Sequence, residues 1–103
     1  MDKTEIKVSE VLQTLGVPCH ILGFRCLKEA VVIVVDNPKA IGSMQGVYDA
    51  VGLKNGKSYS RVERAIRHAI SFVRESRYEG FHNGKFISTL AERIRMGKYN
   101  EAS

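Results

Sequence analysis

The chain has no apolar run near the roughly 18 residues a membrane helix needs; its longest, Ala30 to Val35, is six residues. Its start, Met-Asp-Lys-Thr-Glu, lacks a secretory signal core. A soluble, cytoplasmic protein with no membrane partner is expected. Cysteine is scarce. Cys19 and Cys26 stand seven apart, which fits neither a Cys-x-x-Cys redox or zinc pair nor a disulfide framework. Both are expected as reduced, partly buried thiols, because free cysteine behaves as a small hydrophobe. The three histidines, His20, His68 and His82, lack metal-ligand spacing. There is no glycine-rich phosphate loop and no nucleophile in a recognisable motif. No catalysis, metal or cofactor is expected.

What is present is an ordinary globular composition, 44% hydrophobic and 26% charged over 103 residues, with a mean hydropathy of −0.17. That is too apolar for a disordered tail and about right for one domain over residues 1–103. The charge is unevenly placed. Between Lys54 and Arg77 lie seven Lys or Arg (Lys54, Lys57, Arg61, Arg64, Arg67, Arg74 and Arg77) against Glu63 and Glu75. This quarter of the chain carries the entire formal surplus of +5. Such clustering points to a polyanionic partner.

Apolar spacing predicts helices throughout. Ile6, Val11, Leu12 and Leu15 follow Thr4 and stop at Gly16, with Pro18 beyond, so a first helix is expected over Thr4 to Leu15. Ala30 to Val35 reads as a strand by propensity. Phe24, Leu27, Ala30, Val31, Val34 and Val35 nonetheless form a helical stripe that ends at Asp36-Asn37-Pro38. Ile41, Met44, Val47, Tyr48 and Val51 mark a third helix over Lys39 to Val51, followed by a polar turn from Gly52 to Lys57. A fourth, from about Ser58 to Glu75, has the clearest pattern: Val62, Ala65, Ile66, Ala69, Ile70, Phe72 and Val73 on one side, and Ser60, Arg61, Glu63, Arg64, Arg67, His68, Ser71 and Arg74 on the other. After a loop from Tyr78 to Gly84, Phe86, Ile87, Leu90, Ala91 and Ile94 face inward from a last helix. The fold expected is all-α.

Helix three, a glycine-containing turn and a basic helix four outline a helix-turn-helix, whose second helix enters the DNA major groove. The outline alone is weak, and a solvated charged face is its plain alternative. The chemistry of that face strengthens it. Arginine suits bidentate bonding to guanine O6 and N7, and a carboxylate can accept from cytosine N4. Both kinds stand near the helix start, in Arg61, Glu63 and Arg64. A start at Ser60 would make a Ser60–Glu63 capping box and occupy the carboxylate, whereas a start at Ser58 frees it. Glu63 and Arg67 also form an i, i+4 pair.

Ser60-Arg-Val-Glu-Arg-Ala-Ile-Arg-His-Ala-Ile70 resembles the recognition helix of the C-terminal effector domain of the stage-zero sporulation protein A family, response regulators of endospore formation. Leu15-Gly-Val-Pro-Cys-His-Ile21, Leu27-Lys-Glu-Ala30 and Ile41-Gly-Ser43 extend the resemblance over most of Ile6 to Met96. It implies an all-α domain of five to six helices that binds double-stranded DNA at TGTCGAA-type promoter elements. Such a domain is expected as a monomer in solution and a dimer on tandem elements. Carried over by position, Arg61, Glu63 and Arg64 would contact bases. Ser60, Arg67 and His68 would add phosphate or supporting contacts, as would Lys54, Lys57 and Ser58 at the turn. The chain is too short for the family's usual receiver domain, so none is expected. The Arg77 to Lys85 segment is shorter than the family's polymerase-contacting one, which favours repression or site competition. Leu22 and Phe24 replace a lysine and a tyrosine, removing one expected backbone contact.

Two rivals remain at this level. A protein-interaction module, pairing with a full-length regulator or with RNA polymerase, is suggested by Tyr78, Phe81 and Tyr99 as exposed aromatics. RNA binding is weaker, since no stacking-aromatic signature of a common RNA module is present.

Overall fold

Five α-helices follow one another in the computed structural model, which describes residues 2–97: α1 Lys3–Thr14, α2 Leu22–Asp36, α3 Met44–Asn55, α4 Tyr59–Ile70 and α5 Asn83–Arg95. Two connections contain short 3-10 helices, Pro38–Gly42 and Ser76–Tyr78. No strand occurs among the described residues, and the architecture is all-α.

Helix α2 is the centre of the bundle and lies against all four other helices. Its Leu27, Ala30, Val31 and Val34 meet Val8 and Leu12 of α1, Val62 and Ile66 of α4, and Phe86, Ile87 and Leu90 of α5 in one core. The Ala30–Val35 run is helical. Each β-branched residue forfeits at most about 0.7 kcal/mol of helix propensity. Fully burying an apolar side chain returns about 1.5–3 kcal/mol, so the stripe outweighs the strand preference.

Side chains set the helix starts. Asp2 accepts from the Glu5 N–H at 2.8 Å, Ser43 from Gly46 at 3.3 Å, Ser58 from Arg61 at 3.2 Å and His82 Nδ1 from Lys85 at 3.2 Å. These caps revise several sequence-based boundaries. The third helix is not continuous from Lys39: a 3-10 helix ends at Gly42, and Ser43 then caps α3. Gly52 to Asn55 belong to α3, so the expected six-residue turn shrinks to Gly56, Lys57 and Ser58. Gly56 takes φ +67°, the left-handed conformation that ends a helix tightly, and the Lys57 N–H closes the turn on the Gly52 carbonyl at 2.9 Å.

Helix α4 ends at Ile70, not Glu75. The Ser71 hydroxyl donates back to the His68 carbonyl. The Arg74 N–H donates to the Leu15 carbonyl at 3.0 Å, pulling the chain onto the end of α1. Phe72 and Val73 therefore lie beyond the helix and are half-buried. The Tyr78 to Gly84 segment is likewise shorter than expected as a loop, because a 3-10 helix reaches Tyr78 and α5 starts at Asn83.

Candidate nucleic-acid interface

Helices α3 and α4, joined by the three-residue turn, form the helix-turn-helix. The Ser58 cap fixes which side of α4 is outside. It uses the Ser58 oxygen lone pair for the Arg61 N–H and leaves no Ser60–Glu63 capping box. Val62, Ile66 and Ala69 are buried, while Ser60, Arg61, Arg64, Arg67 and His68 are exposed. The expected polar face of α4 is therefore an outward face.

One glycine brings α4 close to the bundle centre. A Cβ on Gly23, in the first turn of α2, would stand 2.2 Å from the Ala65 carbonyl oxygen and 2.8 Å from the Ala69 Cβ. Only glycine allows this approach. It places Ile21 and Leu22 beside Arg61, Arg64 and His68 in a shallow groove along one flank of α4. His68 also packs edge-on against Phe72, with ring centroids 5.1 Å apart.

The other flank borders a cleft of about 620 Å³ lined by Tyr48, Tyr59, Glu63, Arg67, Tyr78, Phe81, His82 and Asn83. There Arg67 pairs with Glu63 Oε1 at 3.4 Å. Asn83 Nδ2 donates to the Glu63 carbonyl at 3.1 Å and reaches Glu63 Oε2 at 3.5 Å. Of the three residues expected to contact bases, Arg61 and Arg64 thus stand on one flank and Glu63, half-buried, turns to the other. Among the described residues, no carboxylate pairs with Arg61 or Arg64.

The expected supporting residues divide as well. Lys57 is exposed in the turn. Lys54 is exposed but pairs with Glu29 of α2 at 3.8 Å. Glu29 also accepts from Asn55 Nδ2 at 2.7 Å, and Arg25 donates to Asn55 Oδ1 at 3.4 Å. This polar chain ties α2 to the end of α3.

Two residues escaped the sequence reading. Arg25 carries no signal of its own in the sequence, yet it donates to Asn55, and its charge, like those of Lys57 and Arg61, opposes the effect of burial on the Cys26 thiol. Asn83 was assigned to a loop, and no periodic signal could show that it reaches Glu63. The cysteines also differ from expectation, since Cys26 is buried and Cys19 exposed.

The aromatic surface is not what the interaction-module reading needs. Tyr78 is 3% exposed and packs against Phe81 and Phe86, with centroids 5.8 and 5.1 Å away. Phe81 is half-buried, with Lys85 Nζ 4.4 Å from its ring centroid. Tyr99 lies outside the described residues. Among the described residues the most exposed large apolar side chain is instead Leu53 of α3. No helix among the described residues is long and apolar enough to cross a membrane, and no cluster of His, Cys, Asp and Glu there could hold a metal.

The chain matches, over residues 8–80, the family model described as the sporulation initiation factor Spo0A C terminal. The match spans well over half the chain and takes in the whole helix-turn-helix. That family is a DNA-binding effector domain of transcription regulation.

Proposed function

Because the chain belongs to the Spo0A C-terminal family, we propose that it reads double-stranded DNA by inserting α4 into the major groove at TGTCGAA-like promoter elements of sporulation control. The observation that carries this reading is the pair Arg61 and Arg64. They stand exposed in the first two turns of a capped helix, the part of a recognition helix that reaches base edges. Neither is held by a carboxylate among the described residues, so each guanidinium is available for the O6 and N7 acceptors of guanine. Glu63, with one partner at each carboxylate oxygen, keeps lone pairs for a cytosine N4 amino group.

Lys57, Ser60, His68 and Arg67 flank this centre and serve the phosphates, with Ser58 and Lys54 at the margin. The N-terminal end of α4 adds its own attraction for phosphate. On tandem elements two copies bind side by side. The exposed Leu53 face of α3 is where RNA polymerase or a related regulator would bear.

The test is fluorescence anisotropy at near-physiological salt on duplexes with one element, with tandem elements and with scrambled sequence. The expected result is a preference of about a thousandfold or more for the element, with two copies on the tandem duplex. Arg64→Ala should lose about 1–3 kcal/mol on the element and little on the scrambled duplex. Equal loss on both would remove Arg64 from base reading. Equal binding of the wild type to both would overturn the element assignment.

A further inference from the structure

Asn83 carries the one carboxamide buried among the described residues, 8% exposed. Burying a carboxamide is unfavourable unless its hydrogen bonds are made, and here they are made to the recognition helix. One Nδ2 group serves two Glu63 acceptors, the main-chain carbonyl at 3.1 Å and Oε2 at 3.5 Å. Tyr48 of α3 lines the same cleft as Asn83 and Glu63. The first residue of α5 therefore holds the recognition helix from outside the helix-turn-helix. Arg67 holds the other carboxylate oxygen at 3.4 Å, but its guanidinium is exposed and on the same helix, and an i, i+4 pair of this kind is weak. The buried partner restricts the carboxylate more.

We propose that Asn83 is a positioning residue for base selectivity: through its bonds to Glu63 it aims the Glu63 carboxylate at one base pair. The inference rests on the reading of Glu63 as a base contact. A Glu side chain has three rotatable bonds. Left free, its carboxylate samples orientations that accept from several bases or only from Arg67; held at Oε2, it presents its open lone pairs in one direction.

The experiment is competitive anisotropy against a set of duplexes, each with one base pair of the element changed. It compares the wild type with Glu63→Gln, Asn83→Asp, Asn83→Ala and the double variant Glu63→Gln/Asn83→Asp, after circular dichroism has checked the fold of each. Asn83→Asp keeps the shape, removes the Nδ2 donor and sets a second carboxylate against Glu63. Its added charge weakens every duplex alike, so discrimination at single positions is the readout. The expected result is that Glu63→Gln and Asn83→Asp flatten discrimination at the same base pair, each by about tenfold. Asn83→Ala, which removes the donor without adding charge, should flatten it equally, and Asn83→Asp should add nothing at that pair once Glu63→Gln is present.

If Glu63→Gln changes no position, Glu63 does not read a base, and the inference falls with its premise. If Glu63→Gln changes one position while Asn83→Asp and Asn83→Ala leave it intact, base reading stands and positioning by Asn83 is overturned. A loss spread evenly over all positions, beyond the charge effect, would likewise mean that Asn83 only supports the fold. Should Asn83→Asp not fold, Asn83→Ala decides.

Discussion

Cys19 and Cys26 stand seven residues apart in opposite environments, one exposed and one buried. Burial pushes the Cys26 thiol above its ordinary range, and Glu29 adds to the shift, while Arg25, Lys57 and Arg61 pull the other way. The folded state therefore holds the Cys26 proton more tightly than the unfolded chain does. This stabilisation is complete below the ordinary thiol value, about 8.5, and is lost as pH rises through the raised folded value. Cys26→Ala should cost about 1 kcal/mol or more at neutral pH. The gap between wild type and variant in urea unfolding should narrow as pH rises above the ordinary thiol value. A gap that widens would contradict the burial account. In the native protein a thiol reagent should modify Cys19 at once and Cys26 only as the chain unfolds.

At the scale of elements, two substitutions separate the making of α4 from its placement. Ser58→Ala removes the hydroxyl that accepts from the Arg61 N–H and should cost about 1 kcal/mol in urea unfolding, the usual value of an N-cap. Gly23→Ala leaves α4 intact but drives a methyl group into the Ala65 carbonyl. The helix-propensity gain of about 1 kcal/mol is outweighed by overpacking of about 1–3 kcal/mol, because neither obstacle is a flexible side-chain end. Gly23→Ala should also weaken DNA binding beyond its stability effect, since α2 and α4 must separate at the groove beside Arg61 and Arg64. Unchanged affinity would show that the α2 contact does not set the reading position.

The same scale shows what the sequence could disclose. Helices α1 and α2 and the outward face of α4 were legible because amphipathic spacing follows directly from burial on one side. The end of α4 was not. Phe72 and Val73 continue the apolar pattern, while the turn that removes them depends on a hydrogen bond from Arg74 to Leu15, a partner far away in sequence. The break at Ser43 was hidden for a related reason, since Ile41 and Met44 keep helical spacing across a 3-10 helix and a cap. At the candidate site the arginines declare themselves by charge, and helical spacing alone sets Glu63 apart from Arg61 and Arg64, but that Asn83 of α5 holds Glu63 depends on a contact distant in sequence.

For the whole molecule, the distribution of charge decides how binding responds to salt. Each phosphate neutralised by a free cation releases condensed counterions and contributes about 0.9 to the slope of log affinity against log salt. Lys57 and Lys54 both flank the turn, and a count of charges treats them alike. The fold does not: Lys57 has no carboxylate partner among the described residues, whereas Lys54 lies 3.8 Å from Glu29, whose carboxylate is held by Asn55 at 2.7 Å. Lys57→Ala should therefore lower the slope by about 0.9 on specific and scrambled duplexes alike. Lys54→Ala should lower it by less, because a charge already neutralised by Glu29 displaces fewer ions from DNA. Anisotropy titrations over a range of salt concentrations give both slopes. An exposed ion pair is worth only about 0–1 kcal/mol, so a nearby phosphate could compete for Lys54. Equal slopes would mean that DNA draws Lys54 from Glu29 and that the interface reaches past the turn onto α3. Unequal slopes would confine it to the turn and α4.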